Sequence, residues 1–263
     1  MLRERADAVL ALAAREYPGM ELVFHEQCFA QAGHFAGDDT TRLAAFLDCA
    51  NDPEVDAVWF AMGGYGSNRI VGDAIAGLGD AARNKAFLGY SDCGTLLGAL
   101  YREGIGRPVH GPLAGDIRRE GGKDAVRRVL DFFAGSDDGV EPGLEGKPTM
   151  AFNLMTLAML VGTPHMPDPA GHVVLVEEVA EHLYAVDRLF GHVTQMLPGV
   201  AGLRLGRVSE VPENDRPFGA SAEEIARYWC EKTSIPYLGR ADIGHDAANR
   251  IVPFGLARKS PRS

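Results

Sequence analysis

Apolar segments that end in glycine and lead into helical patterns constrain the fold of this chain most strongly. DAVWFA (56–61) runs into GGYG, and KAFLG (85–89) runs into a further glycine-containing turn and a helix. Strands that are apolar along their whole length are typical of parallel sheets covered by helices on both faces. The pattern predicts an α/β fold whose N-terminal domain is a doubly wound parallel sheet.

Apolar spacing places the remaining elements. Spacings of three and four, together with caps, predict helices. Alternating or continuous apolar runs predict strands. Helices are expected over 1–17, 41–50, 68–82, 96–102, 125–134, 153–162 and 222–231, and along a face formed by Leu183, Val186, Phe190, Val193 and Leu197. Further strands are expected over 21–25, 172–178, 201–210 and 250–254.

A change in composition divides the chain. Residues 113–148 are rich in Gly, Asp and Glu and contain one amphipathic helix, which is typical of a connector. We therefore predict a nucleophile-bearing α/β domain over 1–115, a connector over 116–148 and a smaller mixed C-terminal domain over 149–263.

Charge and cysteine usage exclude several classes of function. The formal net charge of −10 argues against non-specific binding to nucleic acid or to anionic membranes. The N-terminal apolar stretch VLALAA is too short for a signal sequence or a membrane span, so we expect a cytoplasmic protein. The four cysteines are far apart, which predicts free thiols and no zinc site.

Ser91 lies on the turn that follows the strand 85–89. In GYSDCG, the serine lies between Gly89 and Gly94 at the junction of a strand and a helix, as in a nucleophile elbow, although the second glycine falls one residue late. The backbone N–H of Asp92 would then point toward a developing oxyanion. A cap for the following helix explains the same residues, so this segment alone leaves both interpretations open.

The turn GGYGSNR (63–69) also follows a strand. Its glycines match neither a dinucleotide-binding nor a phosphate-binding fingerprint. A backbone N–H aimed at an oxyanion fits better, since this turn and Ser91 would share one edge of the sheet. A simple strand-to-helix turn is the alternative.

Carboxylates and histidines elsewhere supply candidate partners for the serine. Glu177 and Glu178 end the apolar strand 172–178, where one of them could instead begin the next helix. His245 lies in a glycine-containing loop, and His110 follows a short apolar stretch. No histidine pair has the spacing of a helical metal site, so we predict neither a catalytic metal nor a cofactor.

Several segments, in order along the chain, resemble the LD-carboxypeptidases, a family of serine peptidases that includes muramoyltetrapeptide carboxypeptidases and microcin C self-immunity peptidases. The similar segments are FAGDDTTRLAAFLDCANDPEVDAVWFAMGGYGSNRI, KAFLGYSDCGTLLGALYREG, HGP, FNLMTLAMLVGTP, VVLVEEVAEHLYAVDRLF and GHDAANRIVPFGLA. They span roughly residues 35–257. The resemblance implies a partly β-barrel-like C-terminal domain and a homodimer.

The resemblance also implies roles for individual residues. Ser91 matches the nucleophile, His245 the general base and Glu177 the acid that orients the base, with oxyanion donors from the backbone of Asp92 and Gly64. The implied reaction removes the terminal D-alanine of a murein tetrapeptide during cytoplasmic peptidoglycan recycling. The alternatives are hydrolysis of acylated aminoacyl-nucleotide amides, as in microcin C immunity, and non-catalytic binding of muropeptides.

Three features depart from the family pattern. Met62 stands where an arginine is usual, Ala151 and Phe152 replace two glycines before Asn153, and the chain opens on a helix rather than an apolar strand. The first two could change substrate contacts, and the third predicts an exposed edge of the sheet.

Overall fold

A computed structural model describes residues 1–256, and the predicted C-terminal domain extends beyond them to 263. The N-terminal half alternates helices and short strands, as the apolar segments predict. Its elements are α1 (Arg3–Glu16), α2 (Asp39–Asn51), β1 (Ala57–Trp59), α3 (Ser67–Ala76), β2 (Ala86–Gly89), α4 (Gly94–Arg102), β3 (Arg107–His110) and α5 (Gly122–Phe133).

The first sheet has the order β1-β2-β3-β8, in which β8 (Val252–Pro253) comes from the C-terminal end of the described chain. Strands β1, β2 and β3 are parallel, and β8 joins β3 in the antiparallel sense. All four residues of β2 are buried, as expected for a central strand covered on both faces. The C-terminal region thus contributes a strand to the N-terminal sheet.

The second half forms a sheet of its own. Its elements are β4 (Thr149–Asn153), α6 (Leu154–Leu160), β5 (Val173–Val179), α7 (Leu183–Val193), β6 (Gly202–Ser209), α8 (Ala222–Thr233) and β7 (Tyr237–Arg240). The strands pair in the order β4-β5-β6-β7, all parallel. Within residues 1–256 this is an open sheet, so the expectation of a partly barrel-like domain is not confirmed.

The predicted apolar face of α7 is confirmed. Val186, Phe190 and Val193 are fully buried, and Leu197 just beyond the helix is 3% exposed. Helices α4 and α6 bring the two halves of the molecule together. A side chain at Gly98 on α4 would collide with Leu160 on α6, so the glycine permits a close helix–helix contact. This contact brings the carboxyl ends of β2 and β5 toward each other.

One predicted strand is wrong, and three strands were not predicted. Residues 21–25 form no strand; Leu22 and Phe24 instead pack beside α1 and Trp59. Strands β3, β4 and β7 were not predicted, because β3 is short and contains a proline, β4 runs directly into α6 and β7 lies in a turn-rich segment. Helix α5 of the predicted connector packs against α1, with Val126 and Leu130 in a cluster with Val9 and Leu12. No helix among residues 1–256 is long and apolar enough to cross a membrane.

Candidate active site

Ser91 follows β2 on a strained backbone. Its φ angle is +62°, a left-handed conformation that is uncommon for a residue other than glycine. A 3-10 turn over Ser91–Cys93 leads directly into α4. Gly89 permits the bend, because a side chain there would lie 2.8 Å from the ring of Phe60. This is the strand–turn–helix context that a nucleophile elbow requires.

The structure brings Ser91, His245 and Glu177 together in a linear arrangement. His245 Nε2 lies 3.0 Å from Ser91 Oγ, and His245 Nδ1 lies 2.5 Å from Glu177 Oε2. The two hydrogen bonds join residues 154 and 68 positions apart in the sequence. With the Nδ1 proton held by the carboxylate, Nε2 has a lone pair available for the serine hydroxyl proton.

Glu177 lies near the carboxyl end of β5, where the pairing with β6 is irregular. Val176 pairs with Leu205 but Glu178 pairs with Val208, so β6 bulges opposite Glu177. The bulge receives the loop of the histidine, since the Arg207 N–H donates to Ile243 O at 2.8 Å. Burial raises the pKa of Glu177, and the hydrogen bond from His245 opposes that shift.

Glu178 is buried beside Glu177 but serves a different part of the structure. Its carboxylate accepts hydrogen bonds from Asn153 Nδ2 at 2.7 Å, from the Met155 N–H at 2.8 Å and from the Val179 N–H at 2.9 Å. These bonds fix the beginning of α6. The alternation of side chains along β5 thus sends one glutamate to His245 and the other to a helix N-terminus.

Contacts from three directions hold the loop that carries His245. The ring of Tyr90 lies against the imidazole, with 4.7 Å between centroids. From α5, Arg128 donates to the carbonyl oxygens of Ala247 and Asn249 at 2.9 and 3.0 Å. From β6, Arg207 forms an ion pair with Asp246. Tyr90 and Asp246 lie in segments that resemble the family and the two arginines do not, but sequence reasoning assigned none of these residues a role, because their partners are remote in the chain.

The GGYG turn lies beside Ser91, as its position after a parallel strand predicts. A side chain at Gly63 would place its Cβ 3.0 Å from Ser91 Cβ and 3.1 Å from Ser91 Oγ. Gly64, the expected oxyanion donor, comes next with a φ angle of +119°. The carboxylate of Asp92 accepts the Ser67 N–H at 2.8 Å, which connects this turn to the segment that carries Ser91. Burial raises the pKa of Asp92, and the bond from Ser67 opposes the shift.

His110, the rival histidine, is 1% exposed, and its Nε2 bonds Asn249 rather than Ser91. Within the described residues, no group of three or more His, Cys, Asp or Glu side chains is arranged to hold a metal ion.

Of the departures from the family pattern, Ala151 and Phe152 are buried in β4 and Met62 lies against Gly115. The buried pair therefore acts on packing rather than directly on a substrate.

Comparison with known proteins gives the same family for both halves of the chain. The model of the LD-carboxypeptidase N-terminal domain matches residues 2–111, and that of the LD-carboxypeptidase C-terminal domain matches residues 148–259. The murein tetrapeptide carboxypeptidase of Pseudomonas aeruginosa is 26% identical over 265 residues, covering 91% of this chain and 83% of that protein.

Solved structures agree with the sequence matches. The muramoyltetrapeptide carboxypeptidase of Oxalobacter formigenes superposes with a TM-score of 0.77 at 26% identity, covering 96% of this chain and 89% of the other. The microcin C7 self immunity protein MccF superposes with a TM-score of 0.77 at 18% identity, in its complex with aspartyl sulfamoyl adenosine. The match covers 96% of this chain and 86% of MccF, and at this identity it supports the fold alone. From the matches to its two halves, this chain belongs to the LD-carboxypeptidase family of peptidases.

Proposed function

We propose that this protein is a serine carboxypeptidase that removes the terminal D-alanine from murein tetrapeptides. The observation that carries the proposal is the arrangement of Ser91, His245 and Glu177, in which one imidazole bonds both a strained serine and a buried carboxylate. The substrate class is suggested by two relatives, which are named as a murein tetrapeptide carboxypeptidase and a probable murein peptide carboxypeptidase.

The proposed reaction begins when Ser91 Oγ attacks the carbonyl carbon of the scissile amide. The hydroxyl proton passes to His245 Nε2, and the backbone N–H groups of Gly64 and Asp92 bind the oxyanion. The imidazolium then gives its proton to the leaving amine of D-alanine, and the C–N bond breaks. Water hydrolyses the acyl-enzyme by the same proton route, which restores the serine hydroxyl.

Glu177 has a specific task in this scheme. A buried carboxylate bonded to Nδ1 fixes the imidazole tautomer and stabilises the imidazolium that forms twice in each cycle. Burial raises the pKa of Glu177, and the hydrogen bond from His245 Nδ1 is the largest of the influences that lower it.

The direct test is mass spectrometry after incubation with purified murein tetrapeptide. We expect the peptide to lose the mass of one alanine residue, and the Ser91→Ala variant to leave it intact. An unchanged peptide with the unaltered protein would exclude this substrate.

We also propose a cytoplasmic location and a homodimer. Sedimentation at micromolar concentration tests whether the protein is a dimer.

One observation favours the microcin-immunity type of reaction as a second candidate. Tyr65, two residues beyond Gly63, is 53% exposed and lies 5.8 Å from Phe35 and 6.3 Å from His34 between ring centroids. Such an aromatic group beside the nucleophile turn could stack on a nucleobase. An acylated aminoacyl sulfamoyl nucleoside, offered in competition with murein tetrapeptide, distinguishes the two reactions by which amide is cleaved first.

A binding protein without activity is the remaining alternative. A fluorophosphonate probe would label Ser91 if the serine is activated, and the His245→Ala variant would then lose most of the labelling. If the folded protein binds tetrapeptide but neither cleaves it nor cleaves the nucleotide conjugate, the non-catalytic alternative gains support.

A further inference from the structure

Two buried polar residues lie behind the imidazole of His245 and have no role in the proposed mechanism. Asn249 is fully buried and His110 is 1% exposed. Both make hydrogen bonds to the segment that carries His245 or to each other.

The side chain of Asn249 closes the loop that carries the base. Its Oδ1 accepts the Gly244 N–H at 3.1 Å, and the backbone N–H of Asn249 donates to Asp246 O at 3.1 Å. Gly244 directly precedes His245, so the amide joins the two ends of the segment 244–249. A side-chain oxygen here takes the place of a backbone acceptor and restricts the path of the loop.

The same oxygen has a second donor, which belongs to the first sheet. His110 Nε2 lies 3.2 Å from Asn249 Oδ1. His110 is the last residue of β3, and it pairs with Gly89 of β2, two positions before Ser91. The contact therefore links the strands that position the nucleophile to the loop that positions the base.

The donors determine which way the amide points. The Gly244 N–H can only donate, so the oxygen of Asn249 must face it, and His110 must then carry a proton on Nε2. Burial lowers the pKa of His110 to about 4, which keeps its imidazole neutral at physiological pH. Within the described residues Asn249 Nδ2 has no hydrogen-bond partner, which costs stability. The oxygen is thus the part of Asn249 that the loop uses.

From these contacts we infer that Asn249 and His110 are positioning residues that hold His245 Nε2 within reach of Ser91 while the proton moves. The inference rests on the proposed function. Glu177 holds one ring nitrogen and Tyr90 one ring face, but neither fixes the backbone of residue 245. A neutral donor at His110 holds that backbone without placing a second positive charge near the imidazolium of His245.

The test compares variants that remove or preserve the shared hydrogen bond. Asn249→Leu removes the acceptor, His110→Leu removes the donor, and His110→Gln keeps an N–H at nearly the same reach. The matched controls are His172→Leu and His172→Gln, because His172 also bonds through Nε2, to Tyr101 at 2.8 Å, but precedes β5 at the end opposite Glu177.

We expect kcat on murein tetrapeptide to fall about 100-fold in Asn249→Leu and His110→Leu while KM stays within about threefold, as for a displaced catalytic group. His110→Gln should recover most of this loss, and both controls should retain the original kcat. Unaltered kcat in folded Asn249→Leu would overturn the inference, and so would equal losses in His110→Gln and His110→Leu.

A second readout needs no substrate. The 15N shifts of the His245 ring report which nitrogen carries the proton, and we expect Nδ1 protonation in the unaltered protein and in His110→Gln. In Asn249→Leu and His110→Leu, Glu177 should keep Nδ1 protonated, but the Nε2 signal should move toward that of an imidazole without a hydrogen bond to Ser91. An unaltered Nε2 signal in both would contradict the inference. If the unaltered protein cleaves no tetrapeptide, the proposed function fails, but the ring shifts still decide whether this pair orients His245.

Discussion

The proposed nucleophile and the proposed acid–base pair are positioned in different ways. Ser91 depends on its immediate neighbours: a buried strand, Gly89 and one left-handed residue present the hydroxyl at the end of β2. Glu177 and His245 depend on a bulge in β6 and on contacts from α5, β3 and β6 that are distant in sequence. A local bend can be encoded in six residues, whereas a proton relay requires the whole fold.

The largest effect should come from the local side of this comparison. We expect Ser91→Ala to lower kcat by about 10⁴- to 10⁶-fold, because it removes the hydroxyl that is hydrogen-bonded to His245 Nε2. Stopped assays with mass spectrometric detection measure the loss. The free energy of unfolding should change little, since alanine removes one hydrogen bond and leaves the backbone path unaltered. Substantial residual activity would show that another group is the nucleophile.

Adjacent glutamates on β5 provide the sharpest test of the acid–base side. Glu177→Gln should lower kcat by about 10⁴-fold, because an amide favours the wrong tautomer of the partner imidazole. Glu178→Gln is the matched control: we expect kcat within tenfold and a loss of about 1–2 kcal/mol in unfolding free energy from its weakened bonds to α6. Urea unfolding and kcat, measured together, separate the two. Equal kcat losses would contradict the division of labour between these carboxylates.

Gly63 and Gly64 test how closely the turn approaches Ser91. Gly63→Ala would place a methyl group 3.1 Å from Ser91 Oγ, and we expect about a 100-fold loss in kcat/KM from displacement of the nucleophile or substrate. At Gly64 no atom lies within 4 Å of an added Cβ, so Gly64→Ala acts through its φ angle of +119°. It should lower the melting temperature, and it should also lower kcat, because a strained backbone displaces the N–H that we propose as an oxyanion donor. Unaltered kcat in folded Gly64→Ala would argue against that N–H as a donor.

The sequence was informative where neighbouring residues determine structure. The strand, glycine and serine of KAFLGYSD, and the apolar face of α7, follow from local pattern. ELVFH has a strand-like pattern but finds no partner strand, and its apolar residues pack beside helices instead. The roles of Tyr90, Arg128 and Asn249 depend on contacts with a loop far along the chain, so periodicity could not identify them.

His110 lies where the two regions meet, and its burial predicts a pH dependence of stability. Its pKa is about 4 in the folded protein and 6.5 when exposed, so only the unfolded chain gains its proton between those values. Stability should therefore fall as pH drops from about 6.5 to 4, by roughly 3 kcal/mol from this group. His110→Gln lacks the imidazole that takes up this proton, so its curve of unfolding free energy against pH should be flatter over the same window. Parallel curves would mean that His110 is not buried in its neutral form.

The smallest effect should come from α5, the helix of the predicted connector. Arg128 anchors the histidine loop through two carbonyl oxygens, whereas its neighbour Arg127 forms exposed ion pairs with Glu16 and Asp124. Arg128→Met keeps the apolar stem but removes both hydrogen bonds, and we expect about a tenfold loss in kcat because loop 244–249 becomes less restricted. Arg127→Met should leave kcat unchanged, since exposed ion pairs contribute little. If the two variants have the same kcat, α5 is only a connector, and the base is positioned entirely by the two sheets.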